Sequence, residues 1–200
     1  MEVIPLPLDY TRQSPIPKTY PGCGQKIFSE TSGMNPPEHP WMVLICIQYE
    51  QDKEDSSGKK IKCGQMCGGS LISSQHIITA ASCLAQADID NTVVFLEVTS
   101  VQNALMSLDY LFLSKIHLYP KPTQGDTLAI IKLENKVNFG STINQICLSE
   151  PFTTYQDGDK ALMPEFSQIN GETTYASSVT VMMRSEEYCS KQFKDVFIKK

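Results

Sequence analysis

Three histidines, seven cysteines and a scatter of serines and aspartates are the residues of this chain with chemistry to offer. A serine hydroxyl becomes a useful nucleophile at neutral pH only when a histidine takes its proton and a carboxylate orients that histidine. Histidine suits the task because its ordinary pKa lies in the working range. His39, His76 and His117 stand far apart in sequence, and the cysteines are scattered, so no metal site is expected. Asp88 and Asp90, in ADID, are too few to build a calcium loop. No cofactor is expected either. The chain contains no Gly-x-Ser-x-Gly or Gly-Asp-Ser run to mark a nucleophile, and no Asn-x-Ser/Thr glycan acceptor.

The elements that must position such residues are short strands. Two hundred residues, 41% apolar and 20% charged, suffice for one or two small cores. A net charge of −5 and a pI near 5.2 argue against a nucleic-acid partner, because nothing concentrates enough positive charge to neutralise phosphates. No apolar run approaches the roughly 20 residues that cross a bilayer, so no membrane span is expected. Residues 1–26 are proline-rich and aperiodic, the composition of a propeptide or linker, and residues 27–200 form the folded unit. WMVLICIQY (41–49) and KIKCGQMCGGSLI (60–72) flank a polar stretch, EQDKEDSSGK, and read as two strands with a long solvated loop. HIITA, TVVFLEV, YLFLSKIHLY, LAIIKL and SSVTVMM follow, all rich in β-branched or aromatic residues. Helical patterning emerges only in SEEYCSKQFKDVFI, where Ser185 is placed to cap and Tyr188, Val196 and Phe197 share a face. The pattern predicts an all-β barrel or sandwich.

Seven cysteines in so small a chain point to an oxidising compartment, hence to an extracellular, secreted protein. The N-terminus does not read as a signal peptide, since Pro5, Pro7, Asp9 and Arg12 break any continuous apolar core. An odd count leaves one thiol without a partner among these residues. Cys46 and Cys63 sit on adjacent strands of the predicted hairpin, and a cross-strand bridge there would close its loop.

CGGSLISSQHIITAASC (67–83) resembles the CGGSLI…LTAAHC signature of the trypsin-like, chymotrypsin-fold serine proteases at nearly every position except the histidine. PEHPWMVLI resembles the strand that opens the first barrel of that family. DTLAIIKL resembles its NDIALLKL strand, INQICLSE its I-x-P-I-C-L-P stretch, QINGETT its GWG-x-T turn with Asn170 at the tryptophan, and EEYC the cysteine after its intermediate helix. The resemblance implies a double β-barrel, with the first barrel complete, the second truncated and a short helix near the C-terminus. It also implies disulfides Cys67–Cys83 beside the histidine position and Cys23–Cys147 tying the leading segment to the domain. Cys189 is left unpaired, its family partner lying further along.

In that resemblance Ser82 stands where the catalytic histidine belongs, and serine has no group that titrates near neutrality. Thr127 falls at the aspartate position and Asp126 one residue before it. A slip of one residue turns a strand side chain to the opposite face, so a solvated loop carboxylate is the plainer reading of Asp126. His39, His76 and His117 are read as structural or exposed rather than as replacement bases. The family's GDSGGP segment, with nucleophile and oxyanion hole, would follow Cys189, and the sequence reaches Lys200 without it. Lys26-Ile27 is a candidate processing site, although Phe28-Ser29-Glu30 replaces the family's Val-Gly-Gly.

These readings converge on a non-catalytic protease homologue that acts as a secreted binding or regulatory scaffold. The alternative is a fragment or isoform of a serine-type endopeptidase whose nucleophile segment lies beyond this chain. A protein partner is expected, on loops such as 50–60 and on the open strand edges of an unfinished second barrel.

Overall fold

The apolar run Met42–Ile47 is buried at every position, on both faces of its strand. Such a strand needs cover on two sides, and the fold supplies it. The computed structural model describes residues 22–25, 39–51, 61–118, 128–150, 153–169 and 173–193. Within them β1 (Met42–Gln51) directs Val43, Ile45 and Ile47 into one cluster and Leu44 and Cys46 into another. The first cluster draws on β2 (Ile61–Ser73) through Leu71, β3 (His76–Ala80) through Ile77 and β4 (Thr92–Phe95) through Val94. It also draws on β5 (Leu111–Leu118) through Leu113 and β6 (Leu128–Leu133) through Ile131 and Leu133. These six strands close an antiparallel barrel in the order β1-β2-β3-β6-β5-β4, and the first cluster is its interior.

The second cluster lies outside the barrel wall. There α1 (Val101–Ser107) sets Val101 and Ala104 against Leu44, Val93 and Phe95, and Phe166 packs at the margin. The predicted strand TVVFLEV stops at Phe95, and α1 was not legible from the sequence. The helix is too short to show a periodic pattern, with only Val101 and Ala104 buried. Its start is nonetheless marked: Ser100 Oγ accepts from Asn103 N at 3.2 Å, an N-cap, and Leu108 ends it at φ 54°.

The second β unit is represented among the described residues by a two-stranded sheet, β7 (Lys160–Ile169) with β8 (Thr173–Met182), paired along its whole length. β7 went unread because Pro164 interrupts it. A proline is tolerated there because β7 has a single neighbour in the sheet. Ala176 N donates to Thr99 O at 3.0 Å and links the hairpin to the segment before α1. After β8, α2 (Glu186–Gln192) is capped by Ser185 Oγ, which accepts from Tyr188 N at 3.2 Å, as its sequence predicts. Val196 and Phe197 lie outside the described residues.

Three disulfides are present: Cys23–Cys147, Cys46–Cys63 and Cys67–Cys83, with Cys189 free. Cys46 and Cys63 occupy neighbouring strands, where Tyr49 is the register partner of Cys63 and Met66 that of Cys46. The turn at residues 22–25 is held noncovalently as well. Asn144 Nδ2 donates to Gly22 O at 2.7 Å and to Gln25 O at 3.1 Å, while Gly24 N donates to Gln145 O at 2.8 Å.

One glycine is dictated by packing. A Cβ at Gly69 would stand 2.9 Å from Ile77 Cγ2 and 3.2 Å from Ile45 Cδ1, between two interior side chains. Gly69→Ala is therefore expected to lower unfolding stability by about 1–3 kcal/mol through overpacking, read as a shift of the urea midpoint with unchanged slope. An unshifted midpoint would mean that the interior yields there.

Candidate functional site

The chain turns sharply after β3 into a 3-10 turn, Ala81–Leu84, whose Cys83 is bonded to Cys67 on β2. That bond pins the turn against the strand, so Ser82 is presented at the surface of a rigid corner, and its side chain is exposed. Leu84, at the other end of the turn, is buried and anchors it. β6 begins at Leu128, paired with Ala80, immediately before this corner. Asp126 and Thr127 lie outside the described residues, as do Lys26 and Ile27.

Beside the corner a cleft of about 570 Å³ opens between the barrel and β7. Met66, Cys67, Gly68, Ser70 and Thr79 form its barrel side, and Pro164, Glu165 and Phe166 face them. Thr79 Oγ1 donates to Gly68 O at 2.8 Å, which ties β3 to β2 across the floor and occupies the one hydroxyl of β3 that could otherwise turn outward. Gly68 leaves open space where a Cβ would stand. Among the described residues Glu165 is the only ionisable side chain on the lining. The cleft can seat an extended segment, and it carries no imidazole to move a proton.

The histidines are elsewhere. His39 is buried and stacks at a tilt on Trp41, with ring centroids 5.6 Å apart. His117 lies on β5, in register with Ile130 of β6. His76 opens β3, and its Nδ1 is 2.9 Å from Ser73 Oγ. Ser73 Oγ also accepts from Gln75 N at 3.2 Å and His76 N at 3.1 Å. With both backbone N–H groups donating to the oxygen, the hydroxyl proton is directed at Nδ1, so the imidazole is the neutral Nε2–H tautomer. This serine–histidine pair, missed in the sequence reading, closes the β2–β3 turn. It borders no part of the cleft, and the run Ser73-Ser74-Gln75-His76 carries the only sequence signal for it, a serine side chain turning back on the backbone. Among the described residues no group of three or more His, Cys, Asp or Glu could hold a metal ion.

The pKa of His76 is lowered from its usual value, first by burial and then by the charges of Lys132 and His117. A histidine with a depressed native pKa stabilises the fold while neutral: the contribution is fully present above the unfolded value and is lost as pH falls through it toward the native value. Thermal stability is therefore expected to fall between pH 7 and pH 5 more in the parent chain than in His76→Gln, read as the shift of the unfolding midpoint. Equal losses in the two would remove His76 from the acid response.

Known proteins resemble this chain at the level of family. The Trypsin family model matches residues 30–199. Ovochymase-2 of Mus musculus is 29% identical over 161 residues, which cover 69% of this chain and 24% of that protein. Phenoloxidase-activating factor 3 of Holotrichia diomphalia is 29% identical over 143 residues, 63% of this chain and 38% of that protein. The chain thus spans well under half the length of these two curated relatives. A solved structure described as "Structure of GrC" superposes with a TM-score of 0.61 at 17% identity, covering 82% of this chain and 69% of the other, a likeness of fold alone.

Proposed function

The chain belongs to the trypsin family, and from that premise we propose that it works without catalysis, as a secreted scaffold that binds or regulates another protein. The observation that carries the reading is Ser82 at the corner where the family places its base, with no histidine among the residues lining the adjacent cleft. A serine there accepts or donates a hydrogen bond but cannot take up and return a proton at neutral pH. His76 does not substitute, because it is held by Ser73 in the β2–β3 turn and is not on the cleft lining.

Secretion is supported by three disulfides, which persist in oxidising compartments. Among the described residues no helix is long and apolar enough to cross a membrane. We assign residues 27–200 to the protease-like domain and 1–26 to a leading segment. The partner is a protein, and its contact is the hairpin of β7 and β8. Leu162 and Met182 are 62% and 53% exposed there, and among the described residues each strand pairs on one side only. Open edges flanked by apolar side chains favour addition of an extended strand.

Family membership itself supports a second reading, a serine-type endopeptidase whose nucleophile is supplied outside these residues. Removing a triad member costs as much as about a millionfold in turnover, so such an enzyme would work only through residual binding and oxyanion stabilisation.

Fluorophosphonate labelling of the purified chain tests whether these residues hold a nucleophile of their own, with Ser82→His alongside and an active trypsin-like protease as control. Neither form of this chain is expected to label. Site-specific labelling of the native chain, mapped to one serine and lost on denaturation, would overturn the non-catalytic reading; labelling of Ser82→His alone would place a nucleophile within these residues and leave only the base missing.

A further inference from the structure

A carboxylate beside a sheet usually finds a cation among its neighbours, and a large aromatic ring usually turns inward. At one rim of the barrel neither holds. There the ends of β1 and β6 meet the starts of β4 and β5 around a hollow of about 400 Å³, lined by Tyr49 and Phe112 and by Asp90 and Glu134, together with Ile89 and Ser114. A volume of that size is in the range of small-ligand pockets. Strand pairing brings these residues together. Tyr49 N donates to Asn91 O at 3.2 Å, which sets the end of β1 beside the turn that carries Asp90. Phe112 is the register partner of Val93 on β4, and Glu134 N donates to Phe112 O at 3.0 Å, so the end of β6 reaches the same place.

The hollow is held in shape by its own contacts. Asn91 Oδ1 accepts from Asp88 N at 2.8 Å and from Thr92 Oγ1 at 3.0 Å, which fixes the turn around Asp90. Gln75 Nε2 donates to Leu133 O at 2.9 Å and to Glu134 O at 3.3 Å, which fixes the backbone behind the other carboxylate. The Tyr110 ring touches both lining rings, 6.0 Å from Tyr49 and edge-on at 5.4 Å from Phe112, and rests in turn on Phe95 at 6.0 Å. Phe112 is nonetheless 46% exposed. Among the described residues neither Asp90 nor Glu134 takes part in an ion pair, and no lysine or arginine lines the hollow. Lys115 lines a neighbouring hollow that it shares with Asp88, and its register partner Lys132 lines neither.

We propose that this rim hollow binds an arginine side chain carried on an exposed segment of a partner protein. Two carboxylates without a counter-ion attract a cation, and so does the face of an aromatic ring. A guanidinium answers both at once, because its planar fork donates to carboxylates while its face stacks on a ring. An ammonium would answer the carboxylates but is too strongly hydrated to gain as much from the ring. An apolar side chain would cover the rings and leave two charges short of water and of partners. Ile89, 40% exposed on the same lining, offers apolar cover to the stem of an arginine. The hollow shares no lining residue with the cleft, and the proposal stands whether or not the chain catalyses anything. For a scaffold it supplies a charged contact separate from the apolar hairpin.

Isothermal titration of the full chain with acetyl-tetraarginine amide tests it, with acetyl-tetralysine amide and spermidine as the competing cations. Tetraarginine is expected to bind, and tetralysine to bind about tenfold more weakly. Asp90→Asn with Glu134→Gln should weaken tetraarginine about tenfold. Glu186→Gln with Glu187→Gln removes the same charge from α2 and should change the affinity by less than about twofold. Phe112→Leu keeps apolar bulk without the ring, and should cost about threefold for tetraarginine and little for tetralysine. Circular dichroism confirms that each variant is folded. Equal weakening by the two double variants would reduce the binding to net charge and overturn the proposal. So would tetralysine or spermidine binding as tightly as tetraarginine, a Phe112→Leu chain indistinguishable from the parent, or no binding of tetraarginine at millimolar concentration.

Discussion

Everything in this fold rests on β1 being buried on two sides. Its odd-numbered residues complete the barrel interior and its even-numbered residues need the outer layer, so neither cluster exists without the other. α1 is the clearest consequence. A seven-residue helix has little stability of its own, and it persists here because Val101 and Ala104 cover Leu44, Val93 and Phe95. Phe166 extends the same cover and is how the hairpin of β7 and β8 is brought beside the barrel, which in turn creates the cleft. Burial of one strand thus sets the position of the cleft beside the Ser82 corner.

The corner itself shows a framework that is held independently of the side chain it presents. Cys67–Cys83, the Thr79 hydrogen bond to Gly68 O and buried Leu84 together hold the turn that presents residue 82. None of these interactions requires a histidine at that position. The corner is maintained by packing and by covalent geometry, so exchange of the presented side chain leaves the fold intact while altering what the site can do. A fold of this kind hosts many functions, and the activity must be argued from the residue presented rather than from the framework.

Much of the barrel was legible because its strands announce themselves locally. HIITA and LAIIKL match β3 and β6 residue for residue, and the two strands around the polar loop are displaced by only one or two residues from their predicted bounds. What escaped reading depends on neighbours distant in sequence. α1 is helical because of what it covers, and β7 tolerates Pro164 because it is unpaired on one side. Within the site, Ser82 was identified by its place in a motif, whereas the bond between Ser73 and His76 needed the turn to be built first. The neighbourhood of His76, Lys115 and Lys132 is invisible in one dimension, since they come together only through strand register.

The barrel order also divides the domain into two three-stranded meanders. β1, β2 and β3 follow one another in sequence and in space, as do β4, β5 and β6 in reverse, and the halves meet along two seams, β1 with β4 and β3 with β6. Local hairpins can form early within each half, but the seams join segments far apart along the chain and carry the entropic cost that slows folding. Cys46–Cys63 and Cys67–Cys83 both lie within the first half, and no disulfide crosses a seam. Oxidation therefore staples one meander and leaves the other to be recruited by pairing alone.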